Sequence, residues 1–273
     1  MRSSQLGGCA ITVVLVLLVP VILLRLSARS LIYPGSPVPF PQNLARQFPG
    51  ATLLHYKSAD GTLLAGALLP GGDPQGPHGP VAVYFHGNAE SAAQGLFWAD
   101  ALVRRGIGLF LPEFRGFGGL SGRPTEQHLY ADGEAALAAL RAAGIPPERT
   151  VFLGRSLGTG IAVELALHHP CTKLILVSPY TSMVDMGRLV VGPLAPLVVP
   201  DRYDSLSKIG RLRLPIVVLH GTRDEVIPVR MGRALAAAAG AKLIEVPEAS
   251  HNEFPGLEER LAREIAEDRP PAP

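Results

Sequence analysis

The chain reads as an α/β protein built on a mostly parallel sheet with helices on both faces. Two observations carry this. Six short runs, VAVYFH (81–86), IGLFLPE (107–113), TVFLG (150–154), KLILVS (173–178), PIVVLH (215–220) and AKLIEV (241–246), are apolar on both faces and rich in branched side chains. Strands buried on both sides of a parallel sheet have this composition. Between the runs lie stretches of helical length, at 91–106, 125–144, 157–170, 229–240 and 254–268, with apolar spacing near 3.6 and a glycine or proline at most ends.

In chain order, the first element is apolar. From Cys9 to Leu24 the run CAITVVLVLLVPVILL has no charge. With its flanks it approaches the roughly 20 residues that cross a hydrocarbon core. It is expected to be an uncleaved membrane-spanning helix within an anchor at 1–28. A cleaved signal peptide needs small residues after the run, which RLSARS supplies poorly, and a buried core helix is the third alternative. Pro20 is tolerable in a membrane helix. Arg2 flanks one side of the run and Arg25 and Arg29 the other, so the charges choose no side of the membrane.

The segment 29–50 carries prolines at 34, 37, 39, 41 and 49 and reads as an extended linker. A catalytic domain is expected over 51–266. It opens with a hairpin, ATLLHYKS and TLLAGALLP around Asp60-Gly61, followed by the Gly-Pro-rich surface loop PGGDPQGPHGP. The alternating strands and helices follow. They are interrupted only at 179–214, where the apolar LVVGPLAPLVVP has no clean strand and reads either as a small cap over the sheet edge or as a helix packed on the body. The tail 267–273, ending RPPAP, is expected to be disordered.

Composition narrows the function. The 25 basic and 23 acidic side chains leave a formal charge of +2 without a basic block, which argues against nucleic acid as a partner. Two cysteines, Cys9 and Cys171, build neither a disulfide framework nor a cysteine metal cluster. The histidines His55, His78, His128, His168 and His169 show no metal-ligand spacing such as HExxH. No cofactor or metal is expected.

The chemistry is expected at TVFLGRSLGTGIAVELA. Ser156 stands where a buried strand meets a helix, with Gly154 and Gly158 two residues to either side. A nucleophile elbow needs that context, because a sharp strand-to-helix turn exposes the hydroxyl and the glycines prevent collisions. In a chain with 30 glycines the pentapeptide alone says little, and a serine in a tight turn is its bland counterpart. A hydroxyl also needs a base, and the base needs an acid to hold its tautomer. HGTRDEVIPV places Asp224 after one strand, and VPEASHNE places His251 after the next, in the order serine, acid, histidine. Glu225 is the weaker candidate for the acid. Backbone N–H groups of Asn88, after the first parallel strand, and Leu157, in the elbow, are the expected oxyanion donors. His86 and His220, each before a glycine, are expected to be structural.

These blocks together resemble a family. LIYPGSP, YFHGNAES, PEFRGFGGLSG, GRSLGTGIAVELA, SPYTS, HGTRDEVIPV and VPEASHNE are similar, in succession, to the α/β-hydrolase superfamily. Within it they resemble the membrane-anchored serine hydrolases of the bud-emergence type, relatives of the depalmitoylating thioesterases. The resemblance implies the α/β-hydrolase fold, Ser156 as nucleophile, Asp224 as acid, His251 as base, and main-chain donors at Asn88 and Leu157. One departure is Glu113 and Phe114, where such proteins often begin the RGxG loop with aspartate and tyrosine.

The expected activity is hydrolysis of carboxylic ester or thioester bonds through an acyl-enzyme. The expected partners are a small-molecule or acyl-bearing substrate and a membrane, through the N-terminal helix. A peptidase or amidase with the same triad, and a membrane-tethered binding protein without catalysis, are the rival readings, since fold does not set substrate.

Overall fold

The computed structural model describes residues 18–71 and 79–267. Eight strands form one sheet: β1 (Thr52–Lys57), β2 (Leu63–Leu69), β3 (Val81–Phe85), β4 (Gly108–Pro112), β5 (Thr150–Arg155), β6 (Lys173–Val177), β7 (Ile216–Gly221) and β8 (Lys242–Val246). Their spatial order is β1-β2-β4-β3-β5-β6-β7-β8. β2 runs antiparallel to both β1 and β4, and every other pair is parallel.

The double-sided apolar pattern of the central strands has a direct structural counterpart. Val81, Val83 and Phe85 join Phe152, Leu174 and Val218 in the core on one face, while Ala82 and Tyr84 join Val151, Leu153 and Leu219 on the other. This is the period-2 alternation of a pleated strand, and each fully buried large apolar side chain stabilises the fold by about 1.5–3 kcal/mol. The first face is covered by α4 (Glu126–Ala142), α5 (Leu157–His168) and α9 (Val229–Ala239), through Leu129, Ile161 and Leu235. The second is covered by α3 (Leu96–Val103) and α10 (Leu257–Ala266), through Ala99, Leu102, Leu261 and Ile265. The expected helix at 91–106 begins as a 3₁₀ turn, Ala92–Gly95. β8, a sheet edge, keeps only Val246 buried, so it is less enclosed than its sequence suggested.

The N-terminal expectation is corrected. Residues 18–32 form α1, and no helix among the described residues is long and apolar enough to cross a membrane. The single-pass anchor, and the membrane localisation that rested on it, are therefore withdrawn. Residues 1–17 of the proposed span lie outside the described residues. The described part does not end at Arg25, as a span bounded by charges would. It continues to Ile32, with Ala28, Ile32 and the following Tyr33 buried against the body. Arg25 donates to the Leu197 carbonyl at 2.9 Å, and Arg29 Nε donates to Asp201 at 2.9 Å. Asp201 is 1% exposed and also accepts the Glu126 N–H. The Tyr33 and Tyr203 hydroxyls pair at 2.9 Å. Hydropathy counts apolar side chains without regard to face, and this helix uses Ala28 and Ile32 to pack on its own protein. Beyond it the proline-rich stretch is extended, apart from one turn, α2 (Leu44–Gln47).

Between β6 and β7 the chain forms α6 (Met183–Val191), a 3₁₀ turn (Gly192–Leu194), α7 (Ala195–Val198) and α8 (Leu206–Ile209). Val184, Ala195 and Val199 are buried against the first core, while Leu189, Val190, Leu194 and Leu197 face outward.

Candidate active site

Ser156 sits between the last residue of β5 and the first of α5, at φ 50° and ψ −120°. A non-glycine residue in such a region costs on the order of 1–3 kcal/mol and persists only when its surroundings determine it. Those surroundings are visible. The Ser156 N–H donates to the Val177 carbonyl at 3.0 Å, and its own carbonyl accepts the Thr159 hydroxyl at 2.6 Å. Neither flanking glycine could carry a side chain. A Cβ on Gly154 would lie 2.6 Å from the Gly158 carbonyl oxygen, and one on Gly158 would lie 1.9 Å from the Phe85 carbonyl oxygen. Gly158 lets the elbow close onto the end of β3, and Gly154 lets β5 close onto the first turn of α5.

Asp224 follows β7 and His251 follows β8, and the parallel sheet brings both loops to the edge where Ser156 stands. His251 Nδ1 lies 2.9 Å from Asp224 Oδ2, and Nε2 lies 3.2 Å from Ser156 Oγ. A nitrogen facing a carboxylate carries the proton, so Nε2 is left as the acceptor for the serine hydroxyl. All three residues are buried, Ser156 being 8% exposed. Burial alone would raise the Asp224 carboxyl, but the imidazoles of His220 and His251 beside it and the hydrogen bond from the Ile227 N–H hold it well below the usual carboxylate range. Asp224 Oδ1 also accepts the Val226 N–H at 3.0 Å. Glu225 serves a different atom of the same histidine: its carboxylate accepts the His251 backbone N–H at 3.3 Å.

The oxyanion donors expected from the sequence, Asn88 and Leu157, would act through their backbone N–H groups. Leu157 is the first residue of α5, so its N–H has no partner within the helix. Asn88 follows Gly87, which lies against Ser156: a Cβ on Gly87 would stand 3.5 Å from Ser156 Cβ. The Asn88 side-chain amide donates to the Ile32 carbonyl at 3.1 Å, tying this loop to the end of α1. His86 is buried with Nδ1 2.8 Å from the Gly87 carbonyl oxygen and Nε2 2.8 Å from Glu113. Glu113, the residue that departs from the aspartate of similar proteins, also accepts the Ala92 N–H at 2.9 Å. Peptide planarity makes the Gly87 carbonyl and the Asn88 N–H point in opposite directions, so the contact from His86 to that carbonyl also fixes the direction of the Asn88 N–H. His220 Nε2 donates to the Ile227 carbonyl at 2.8 Å and lies 3.4 Å from Asp224 Oδ2, behind the acid.

Two residues passed over in the sequence reading also reach this edge, Arg155 and Glu90. The signal for Arg155 was available, since a charged side chain between Gly154 and Ser156 ends a buried strand and must find a partner. A cleft of about 780 Å³ opens beside the triad rather than on it, and is lined by Glu90, Trp98, Arg155, Asn252 and Phe254 among others. Arg155 and Asn252 are the chain neighbours of Ser156 and His251.

Comparisons with known proteins bear on the family and the fold. A family model described as serine aminopeptidase, S33, matches residues 76–203. An uncharacterised protein of Mycobacterium tuberculosis is 34% identical over 238 residues, covering 85% of this chain and 83% of the relative. Alpha/beta hydrolase domain-containing protein 17B of Homo sapiens is 37% identical over 155 residues, covering 56% of this chain and 53% of the relative. Among solved structures, the Pyrococcus furiosus esterase Pf2001 superposes with a TM-score of 0.67 at 16% identity, covering 85% of this chain and 98% of that one, a likeness of fold alone. Strand order, elbow and sequence relatives converge: the chain belongs to the α/β-hydrolase superfamily of serine hydrolases.

Proposed function

We propose that this hydrolase cleaves carboxylic ester or thioester bonds through Ser156, His251 and Asp224. The observation that carries the reading is the continuous relay from Asp224 to His251 at 2.9 Å and from His251 to Ser156 at 3.2 Å, ending on a serine in an elbow conformation. In the first half-reaction Ser156 Oγ attacks the carbonyl carbon while His251 Nε2 takes its proton. The N–H groups of Asn88 and Leu157 hold the oxyanion, and His251 returns the proton to the departing alcohol or thiol. Water then attacks the acyl-enzyme by the same steps, and the acid is released from Ser156. Asp224 stays ionised throughout and steadies the imidazolium. The leaving group must depart beside His251, and the cleft that begins at Asn252 provides room for it.

The outward-facing Leu189, Val190, Leu194 and Leu197 of the segment after β6 support an acyl-bearing substrate, with that segment acting as a small cap. An amidase or peptidase is the second reading, favoured by the description of the matching family model. Purified protein assayed against short acyl esters, long-chain acyl thioesters and aminoacyl amides separates these readings. Ester or thioester turnover at least tenfold above amide turnover is expected. Amide cleavage as fast as ester cleavage would replace this reading with the second.

A further inference from the structure

We propose that Arg155 and Glu90 are positioning residues that hold the histidine loop and the oxyanion loop in register with the nucleophile. The inference rests on the triad reading above and deepens it.

Three segments that must be aligned for acyl transfer come from distant parts of the chain: the loop after β3, the elbow after β5 and the loop after β8. One ion pair touches all three. Glu90 Oε2 accepts the Gly87 N–H at 3.3 Å and the Tyr84 hydroxyl at 2.6 Å, which fixes the carboxylate to β3 and to the start of the oxyanion loop. Its Oε1 pairs with Arg155 Nη1. The other arm of the guanidinium, Nη2, donates to the His251 carbonyl at 2.9 Å and to Asn252 Oδ1 at 3.4 Å. Arg155 precedes Ser156 directly, so its backbone belongs to the elbow itself.

The chemistry of the side chain explains the arrangement. A guanidinium presents planar donors in a fixed fork, and here one arm meets a carboxylate while the other meets a carbonyl. A lysine ammonium is a single point charge and does not reproduce this geometry. The pair is largely enclosed, with the Arg155 and Glu90 side chains 13% and 16% exposed, so solvent screens it less than a surface pair. A surface ion pair would carry no such argument. Arg233 and Glu245 are in contact at 2.7 Å, but Arg233 is 55% exposed and the pair touches none of the three loops.

The test is steady-state kinetics on purified Arg155→Lys, Arg155→Met, Glu90→Gln and the double variant Glu90→Gln/Arg155→Met. An acyl ester is the substrate, and active enzyme is counted by fluorophosphonate titration so that misfolded protein does not enter kcat. Positioning predicts a kcat about 10- to 100-fold lower in each single variant with KM within threefold, the scale expected when catalytic groups are misplaced by up to about 1 Å. Arg155→Lys is decisive, because it keeps a cation beside Glu90 and is the variant best placed to fold. The account expects it not to restore kcat. The double variant is expected to be no slower than the slower single one, since the two residues act as a unit. An Arg155→Lys enzyme within twofold of wild type in kcat would overturn the proposal, leaving the pair as charge neutralisation only. Losses that multiply in the double variant would overturn it as well. Wild type that folds yet neither reacts with the probe nor hydrolyses ester would instead overturn the triad reading beneath it. Arg233→Lys is the control and is expected to match wild type.

Discussion

Replacing Gly158 by alanine adds one methyl group at the tightest point of the elbow. The new Cβ would stand 1.9 Å from the Phe85 carbonyl oxygen, 2.5 Å from its carbon and 2.8 Å from the His86 carbonyl oxygen. Carbon–oxygen contacts are comfortable at about 3.3 Å, so the end of β3 and the start of α5 must separate by about 1.4 Å. No side-chain rotamer relieves this, because the obstructing atoms are backbone. Both proposed oxyanion donors ride on the two elements forced apart: Asn88 just beyond β3, and Leu157 at the head of α5. A misplacement of about 1 Å lowers turnover about 10²-fold, so Gly158→Ala is expected to lose at least that much kcat. Overpacking costs about 1–3 kcal/mol, which for a domain of this size lowers Tm by roughly 2–12 °C. The assay is ester hydrolysis normalised to titrated active sites, with a thermal scan alongside. An alanine enzyme within twofold of wild type in kcat would refute the reasoning, because it would mean that the two donors need not be held at their present separation.

Asp224→Asn is expected to lower kcat on the order of 10⁴-fold with the fold retained, since the amide permits the wrong imidazole tautomer; ester turnover measured on the folded variant checks this. The depressed Asp224 carboxyl also sets a pH window. Its stabilisation is complete above its unfolded value near about 4 and is lost as pH falls from there toward the lower folded value. The Tm advantage of wild type over Asp224→Asn should therefore hold from neutrality down to about pH 4 and shrink below it. At position 88 the backbone is the expected donor. Asn88→Ala, which loses only the bond to Ile32, should retain far more kcat than Asn88→Pro, which loses the N–H and about 10²–10³-fold of rate. Arg29→Ala leaves the Asp201 carboxylate buried with one partner fewer, and a loss of about 1–3 kcal/mol is expected from urea unfolding.

Legibility in the sequence followed the range of the interaction. The central strands and the elbow were visible because their causes are local: continuous runs of five or six apolar, branched residues, and glycines spaced two from a serine. Asp224 and His251 were visible because each ends a recognisable strand. The order of the strands was not, since nothing within β4 says that it inserts between β2 and β3. The N-terminal helix was misread for a related reason. Its apolar residues look alike to a hydropathy count, and the contact that binds it to the body, Arg29 with Asp201, spans 172 positions. Glu90 and Arg155 lie 65 positions apart and meet only because β3 and β5 are neighbours in the sheet. The contact between His86 and Glu113, 27 positions apart, likewise exists because β3 and β4 end side by side in the sheet.

The central claim is that acyl transfer passes through Ser156 with His251 as its base. Peptide mapping by mass spectrometry after reaction with a fluorophosphonate tests it most directly, on wild type, Ser156→Ala and His251→Ala proteins shown to be folded. The account predicts a single adduct on the peptide containing Ser156, none in Ser156→Ala, and labelling slowed by about 10³-fold or more in His251→Ala. An adduct on another residue, or labelling of Ser156 at an unchanged rate without His251, would contradict it.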